Sequence, residues 1–426
     1  MNNFFHKLRL MLGDAMLRKR ILFVLGAFVV FRLAAAVPVP GVDMAALDQF
    51  FRNNQFLGLL NVFSGSGLSN LSIVMLGVGP YITGSIIMQL LTMMSPRLKA
   101  MYHEEGEIGR KKFTQYSRLL TVPLAILQGY ALLILLARQG VLGDLNHFQM
   151  FANVLIITCG SVFLMWLGEL ISEFGIGNGV SLIIFAGIVS RIPTATSQIL
   201  AAGYNPSELP TYIAFLVAAV AIVAGVIVMT EAERPVPITY AKRVRGGKMY
   251  GGVSTYLPLR VNQAGVIPII FALSILLFPQ LIGNFLAGLT SHPYLVSIGE
   301  FMKIYLTQGG WLYSATYFFL VFIFTYFYTA VTFDPEAIAT NLQKSGAFIP
   351  GVRPGLATAE HLAKILTRTT FAGALFLSAV AVLPLAMQSI TGDQKLAIGG
   401  TALLIVVSVV LDLIKKMDAQ LSMREY

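Results

Sequence analysis

The 426-residue chain is 56% apolar and only 12% charged, about half the charge of an average soluble domain (roughly 25%). With a mean hydropathy of +0.75, this composition excludes a soluble multidomain protein, an extended disordered chain and a coiled coil. The one cysteine, Cys159, excludes a module stapled by internal disulfides. Lys and Arg number 30 against 20 Asp and Glu, a net charge of +10, which in a membrane chain speaks first of topology.

A helix crosses the bilayer core with about 20 mostly apolar residues. Runs of this kind are predicted at 21–38, 73–94, 117–137, 150–170, 179–201, 210–230, 264–287, 310–333, 368–390 and 396–414. They are too long and too uniformly apolar for barrel strands of about 10 alternating residues. The expected class is therefore an all-α polytopic membrane protein with ten transmembrane helices. Residues 1–20 are polar and amphipathic and are expected to form a cytoplasmic N-terminal segment without a cleavable signal. With that end inside, 23 Lys and Arg fall in cytoplasmic segments, and only Arg52, Arg138, Arg191, Lys303 and Lys395 fall on the opposite side. This asymmetry obeys the positive-inside rule. An even number of spans also puts the tail, 415–426, in the cytoplasm.

Several shorter features are informative in chain order. Residues 56–70 are rich in Gly, Ser and Asn and too short to cross. Irregular backbone at membrane depth survives only when buried in protein or lining water, so a re-entrant piece is expected there. Gly77-Val78-Gly79-Pro80-Tyr81-Ile82 matches Gly265-Val266-Ile267-Pro268-Ile269-Ile270 as G-V-x-P-x-I, five spans apart. Two five-helix halves, 21–203 and 204–414, are expected. Their odd span number makes them inverted, with the functional path between them. Gly175-Ile176-Gly177-Asn178-Gly179 lacks the Lys-Ser/Thr of a phosphate loop and is read as a tight turn between helices. Two cytoplasmic loops exceed a simple connection. The first, 231–262, holds Gly246-Gly247 between β-prone stretches at 236–240 and 249–256, which predicts a hairpin. The second is 334–368. Basic loops of this length dock something anionic or enforce topology at lipid headgroups.

Catalytic patterns are missing. The five histidines lie outside or at the ends of the spans, there is no HExxH, and no carboxylate pair sits in mid-span. Arg32, Arg118, Glu169, Glu173, Arg191 and Asp412 lie near span ends and are read as interfacial. Neither an enzyme nor an evident ion-coupling site is expected, and neither a cofactor nor a metal.

The stretch LSIVMLGVGPYITGSIIMQLL (71–91) resembles the signature of the SecY family, the channel-forming subunits of the bacterial Sec protein translocase. The likeness continues in EEGEIGRKKFTQYSR (104–118), GIGNGVSLIIFAGIV (175–189), YAKR (240–243), YLPLRVNQAGVIP (256–268), FIPGVRPG (348–355) and GGTALLIVV (399–407), in the same order and nearly end to end. The resemblance implies two inverted five-helix halves closed like a clamshell around a central pore. It assigns a pore ring to Val78, Ile82, Ile184, Ile188, Ile270 and Ile405. It assigns a plug to about 56–70, with Leu59, Asn61, Phe63, Ser64, Gly65, Gly67 and Leu68. A lateral gate would have Gln89, Asn262, Gln263 and Ser274 near its seam. Docking of the ribosome or the SecA motor ATPase would fall to Lys242, Arg243, Arg245, Lys248 and Arg353. Other implied partners are SecE and SecG subunits, signal sequences, nascent chains and membrane lipids, but no DNA. The implied location is the bacterial inner membrane, multi-pass with both termini cytoplasmic. One departure is Pro235, where the family often has another basic residue. The ring chemistry agrees with physical expectation, because an apolar constriction gates by dewetting and favours no particular peptide. The competing reading is an inverted-repeat secondary transporter of a small solute.

Overall fold

A computed structural model describes residues 13–41, 71–138, 140–143, 146–190, 193, 197, 209–240, 243–245, 248–250, 254–265, 267–287, 293–305, 310–391 and 394–422. The helices that overlap the predicted apolar runs are α1 (Ala15–Ala36), α2 (Gly79–Met94), α4 (Gly106–Arg138), α5 (His147–Phe174), α6 (Gly179–Val189), α7 (Leu209–Glu231), α8 (Ile267–Ala287), α10 (Trp311–Thr332), α12 (Leu356–Thr391) and α13 (Gln394–Ser422). Further helices are α3 (Pro96–His103), α9 (Pro293–Tyr305) and α11 (Pro335–Lys344). Among the described residues, four stretches are both long and apolar enough to cross a membrane: Gly106–Ala137, His147–Phe174, Trp311–Lys344 and Leu356–Met387.

Local chemistry sets the helix ends. Asp14 caps α1 by accepting from Met16 N at 2.9 Å. Asn146 and Gln149 form a reciprocal capping box on α5, and Asn178 accepts from Val180 N and Ser181 N at the start of α6. Asp334 does the same for α11. Each cap satisfies donors that a helix leaves orphaned at its first turn. The glycine-rich stretch before α6 is the expected tight turn, in which Ser172 Oγ receives Gly179 N at 2.8 Å and donates to Gly168 O.

Packing divides the helices into two groups. α1, α2, α4, α5 and α6 pack among themselves, as do α7, α8, α10, α12 and α13. The groups meet where α8 packs on α2 and α4, and where α6 packs on α13. One large apolar core runs through both groups. The helices also turn Leu, Val and Phe outward, for example Leu33, Leu119, Leu127 and Phe319, a surface suited to lipid rather than water.

The first long loop carries strands β1 (Glu233–Tyr240), β2 (Arg243–Arg245), β3 (Lys248–Tyr250) and β4 (Ser254–Arg260). β1 pairs antiparallel with β4, Val236 opposite Leu257, and β2 pairs with β3. The hairpin expected from 236–240 and 249–256 is thus two nested pairs. Met249 and Tyr250 belong to the inner one, and the outer ladder extends back to Glu233. Pro235 faces Pro258 in this ladder. Among the described residues no second strand pairs with β1 beside Pro235, so the missing N–H is tolerated there. A strand from the second long loop, β5 (Ala347–Phe348), pairs with Thr239 and Tyr240 of β1. Both loops therefore form one sheet, of order β4-β1-β5, over a small core of Val236, Leu259, Ile349 and Leu362.

Candidate functional site

The run predicted as a helix from residue 73 is helical only from Gly79. Residues 71–78 form a chain of turns buried inside the protein, with Leu71, Ser72, Val74, Met75 and Val78 all almost fully covered. Their polar backbone is satisfied by the protein, as it must be at this depth. Val39 N donates to Leu71 O at 2.8 Å and Ile73 N to Val37 O at 3.0 Å. Ser161 Oγ donates to Gly77 O at 3.0 Å. The segment lies so close to α5 that a Cβ on Gly160 would overlap the Ile73 carbonyl. Gly77 takes φ 60°, and Pro80 sits in the first turn of α2, where its missing N–H costs nothing. Together they break the apolar run and start the helix.

The entry to α8 repeats this construction. Gly265 has φ 61°, α8 begins two residues later, and Pro268 is its second residue. Asn262 Nδ2 donates to Gly265 O at 3.3 Å.

The six sequence-predicted ring residues all fall within one extended apolar core. Val78 and Ile82 lie at the start of α2, Ile184 and Ile188 on α6, Ile270 on α8 and Ile405 on α13. All six belong to the one apolar core, at 0–6% exposure. The pair Ile184/Ile188 is i,i+4 and shares a helix face, whereas Val78 precedes α2 and its carbonyl accepts from Ile82 N at 3.0 Å.

The four seam residues fall on elements that face each other. Gln89 lies on α2, Ser274 on α8, and Asn262 and Gln263 in the turn leading into α8. Ser274 is buried and the other three are partly buried. Gln89 Nε2 reaches only Ser85 Oγ, at 3.4 Å. Gln89 Oε1 and Asn262 Oδ1 are buried with no hydrogen-bond partner among the described residues.

A cavity of about 320 Å3 opens between the two helix groups at the end that carries the sheet. It is lined by Asn178 of the α5–α6 turn, Arg260, Asn262 and Gln263 before α8, Tyr328 of α10 and Asp412 of α13, among others. Its charges are paired: Lys416 with Asp412 at 2.7 Å, Arg260 with Glu233 at 3.3 Å and Lys415 with Glu231 at 3.0 Å. Lys415 Nζ also donates to Thr230 O at 2.9 Å, at the carbonyl end of α7 where cations are favoured. Of the charges read as interfacial, Arg118 pairs with Glu169 at 2.6 Å and Arg32 Nη1 donates to Ser190 Oγ at 2.9 Å. Both arginines are exposed and reach a neighbouring element as well.

The basic residues of the loops separate. Arg243 and Arg245 lie on β2 and Lys248 on β3, with Arg245 opposite Lys248. Arg353 is exposed and follows β5, which runs antiparallel to β1 and so leads away from that tip. Lys242 and the expected plug residues, Leu59, Asn61, Phe63, Ser64, Gly65, Gly67 and Leu68, lie outside the described residues.

The sequence reading missed Tyr102. It packs both against the central core and against a satellite cluster of Met88, Met101 and Phe113, its ring 4.9 Å from that of Phe113. Leu98, Met101 and Tyr102, spaced i, i+3, i+4, are the signal of the short amphipathic helix α3, which lies between the predicted runs 73–94 and 117–137.

The model of the SecY family matches residues 72–414. The chain belongs to the SecY family. The curated "Protein translocase subunit SecY" of Mycobacterium tuberculosis is 42% identical over 431 residues, covering 96% of each chain. The protein of the same name from Thermotoga maritima is 42% identical over 421 residues, covering 96% of this chain and 94% of that one. The solved structure of a protein conducting channel superposes with a TM-score of 0.66 at 20% identity, covering 96% of this chain and 93% of that one. Sec61 in the canine ribosome–channel complex from the endoplasmic reticulum gives 0.61 at 19% identity, with the same coverage. At these identities the structures speak for the fold, which this SecY-family chain shares.

Proposed function

We propose that this chain is the pore subunit of a Sec-type translocon, conducting unfolded secretory polypeptides across the membrane and releasing hydrophobic segments sideways into lipid. One observation supports the reading: six aliphatic side chains, Val78, Ile82, Ile184, Ile188, Ile270 and Ile405, are buried in the one apolar core that runs through both helix groups. A waist made of these groups offers ions nothing in place of water. Wetting all six would cost roughly 9–18 kcal/mol, at about 1.5–3 kcal/mol per side chain. The waist therefore stays shut until a polypeptide covers those surfaces itself, and having no hydrogen-bonding groups it accepts any sequence.

In this reading the helix groups are inverted halves, 21–203 and 204–414, with a plug at about 56–70. The α2–α8 contact is the lateral gate, where Gln89, Asn262, Gln263 and Ser274 make a polar seam that closes weakly. The chain works as a multi-pass protein of the bacterial inner membrane with both termini cytoplasmic. It conducts rather than catalyses, and energy comes from the SecA motor ATPase, the elongating ribosome or the membrane potential. SecE and SecG subunits complete the complex. The basic positions Lys242, Arg243, Arg245, Lys248 and Arg353 serve ribosome and SecA docking.

Conductance tests the proposal. Ile82→Asn or Ile270→Asn puts an amide in the waist, and the reconstituted complex should then leak ions across a planar bilayer. Unchanged conductance in both variants contradicts the ring.

A further inference from the structure

The short helix α9 exposes an apolar stripe. It follows α8, packs along it and precedes α10, at the end of α8 away from the sheet. Tyr294, Ile298 and Phe301 recur at i, i+4 and i+7 and share a helix face. They are 86%, 51% and 57% exposed. Gly299, which points elsewhere on the helical wheel, is buried, and Glu300 is exposed away from the stripe. The helix is thus held by one face and offers a different, apolar one.

Connectivity says what covers that stripe. α9 is tethered between two membrane helices whose own outward side chains, such as Ile282 of α8 and Phe319 and Ile323 of α10, are exposed and apolar. The stripe continues that lipid-covered surface. It also begins with a tyrosine, and α10 begins with Trp311, 78% exposed. Tyr and Trp, with apolar bodies and polar tips, collect at headgroup level. A short helix with an apolar face and a charged flank lies in the interfacial plane.

We propose that α9 is an interfacial anchor whose Tyr294–Ile298–Phe301 stripe is immersed in the headgroup–acyl boundary of the phospholipid leaflet at the end of α8 away from the sheet. The anchor gives α8, the helix that carries Ile270 and Ser274, a fixed far end. The inference rests on the membrane fold and not on the identity of the transported molecule.

Spin-label accessibility tests it. Cys159→Ser removes the single cysteine, and nitroxides are then placed singly by Tyr294→Cys, Ile298→Cys and Glu300→Cys. The full chain, with its co-purifying subunits, is reconstituted into phosphatidylethanolamine–phosphatidylglycerol vesicles. Positions 294 and 298 should collide more with lipid-soluble oxygen than with a water-soluble nickel chelate, and position 300 should show the reverse. A chelate preference at 298 means that the stripe faces water, and shielding of 298 from both reagents means that a protein covers it. Either result overturns the anchor. Should a cysteine variant fail to assemble, Ile298→Trp with Trp166→Phe and Trp311→Phe decides the same point. Brominated lipids should then quench its fluorescence more than aqueous iodide does, and the opposite order overturns the proposal.

Discussion

Gly77 and Gly265 adopt the same left-handed backbone conformation, with φ 60° and 61°, at equivalent places in the two helix groups. Each lies two residues before a helix, three before a proline (Pro80, Pro268) and five before a buried isoleucine of the central core (Ile82, Ile270). The repeated glycine and proline set where α2 and α8 begin, and so set the height at which the two isoleucines enter the core.

Gly265 tests the cost of this device cleanly, because a Cβ there meets no atom within 4 Å. Gly265→Ala should destabilise by about 1–2 kcal/mol, the left-handed penalty of an ordinary residue, and Gly265→Asn should recover part of the loss. The check is the thermal midpoint of the purified complex in detergent. Equal midpoints for all three chains would mean that the glycine conformation is unimportant.

Two acceptors at the proposed seam, Gln89 Oε1 and Asn262 Oδ1, are buried with no hydrogen-bond partner among the described residues. A buried unsatisfied polar group costs about 1–3 kcal/mol. Gln89→Leu with Asn262→Leu should therefore stabilise the closed contact of α2 and α8. The expected outcome is a higher hydrophobicity threshold for lateral release of a test segment, measured by graded-hydrophobicity insertion assays. A lowered threshold would contradict the seam.

Charge reversal at Arg243 or Arg353 should weaken binding to an anionic docking partner while leaving membrane insertion normal. Each lost phosphate contact should also reduce the salt slope of ribosome binding by about 1. Measuring affinity against salt for both variants is informative because the two residues lie on different parts of the sheet unit. An unchanged slope in both would remove the docking assignment.

Much of this was legible in sequence. Each of the ten apolar runs overlaps a helix among the described residues, and four stretches there are long and apolar enough to cross a membrane. The G-V-x-P-x-I match anticipated the shared geometry at Gly77 and Gly265. The break at 71–78 was not legible, since Ile73, Val74 and Met75 read as membrane helix. Only the pocket beside Gly160, formed by distant residues of α5, makes non-helical backbone affordable there. β5 is two residues long and pairs across the gap between loops, so no local pattern announced it. The ion pair of Arg118 with Glu169 joins positions 51 apart in the chain, a proximity that spacing alone does not give.

The central claim is that the six aliphatic residues surround the path of the moving chain. A photo-crosslinking amino acid at position 82, 188, 270 or 405, with one at outward-facing Leu127 as control, tests it most directly in a complex holding a stalled secretory polypeptide. The account predicts adducts to the polypeptide from 82, 188, 270 and 405, and lipid but no polypeptide adducts from 127. Polypeptide adducts at 127 with none at the four core positions would contradict it.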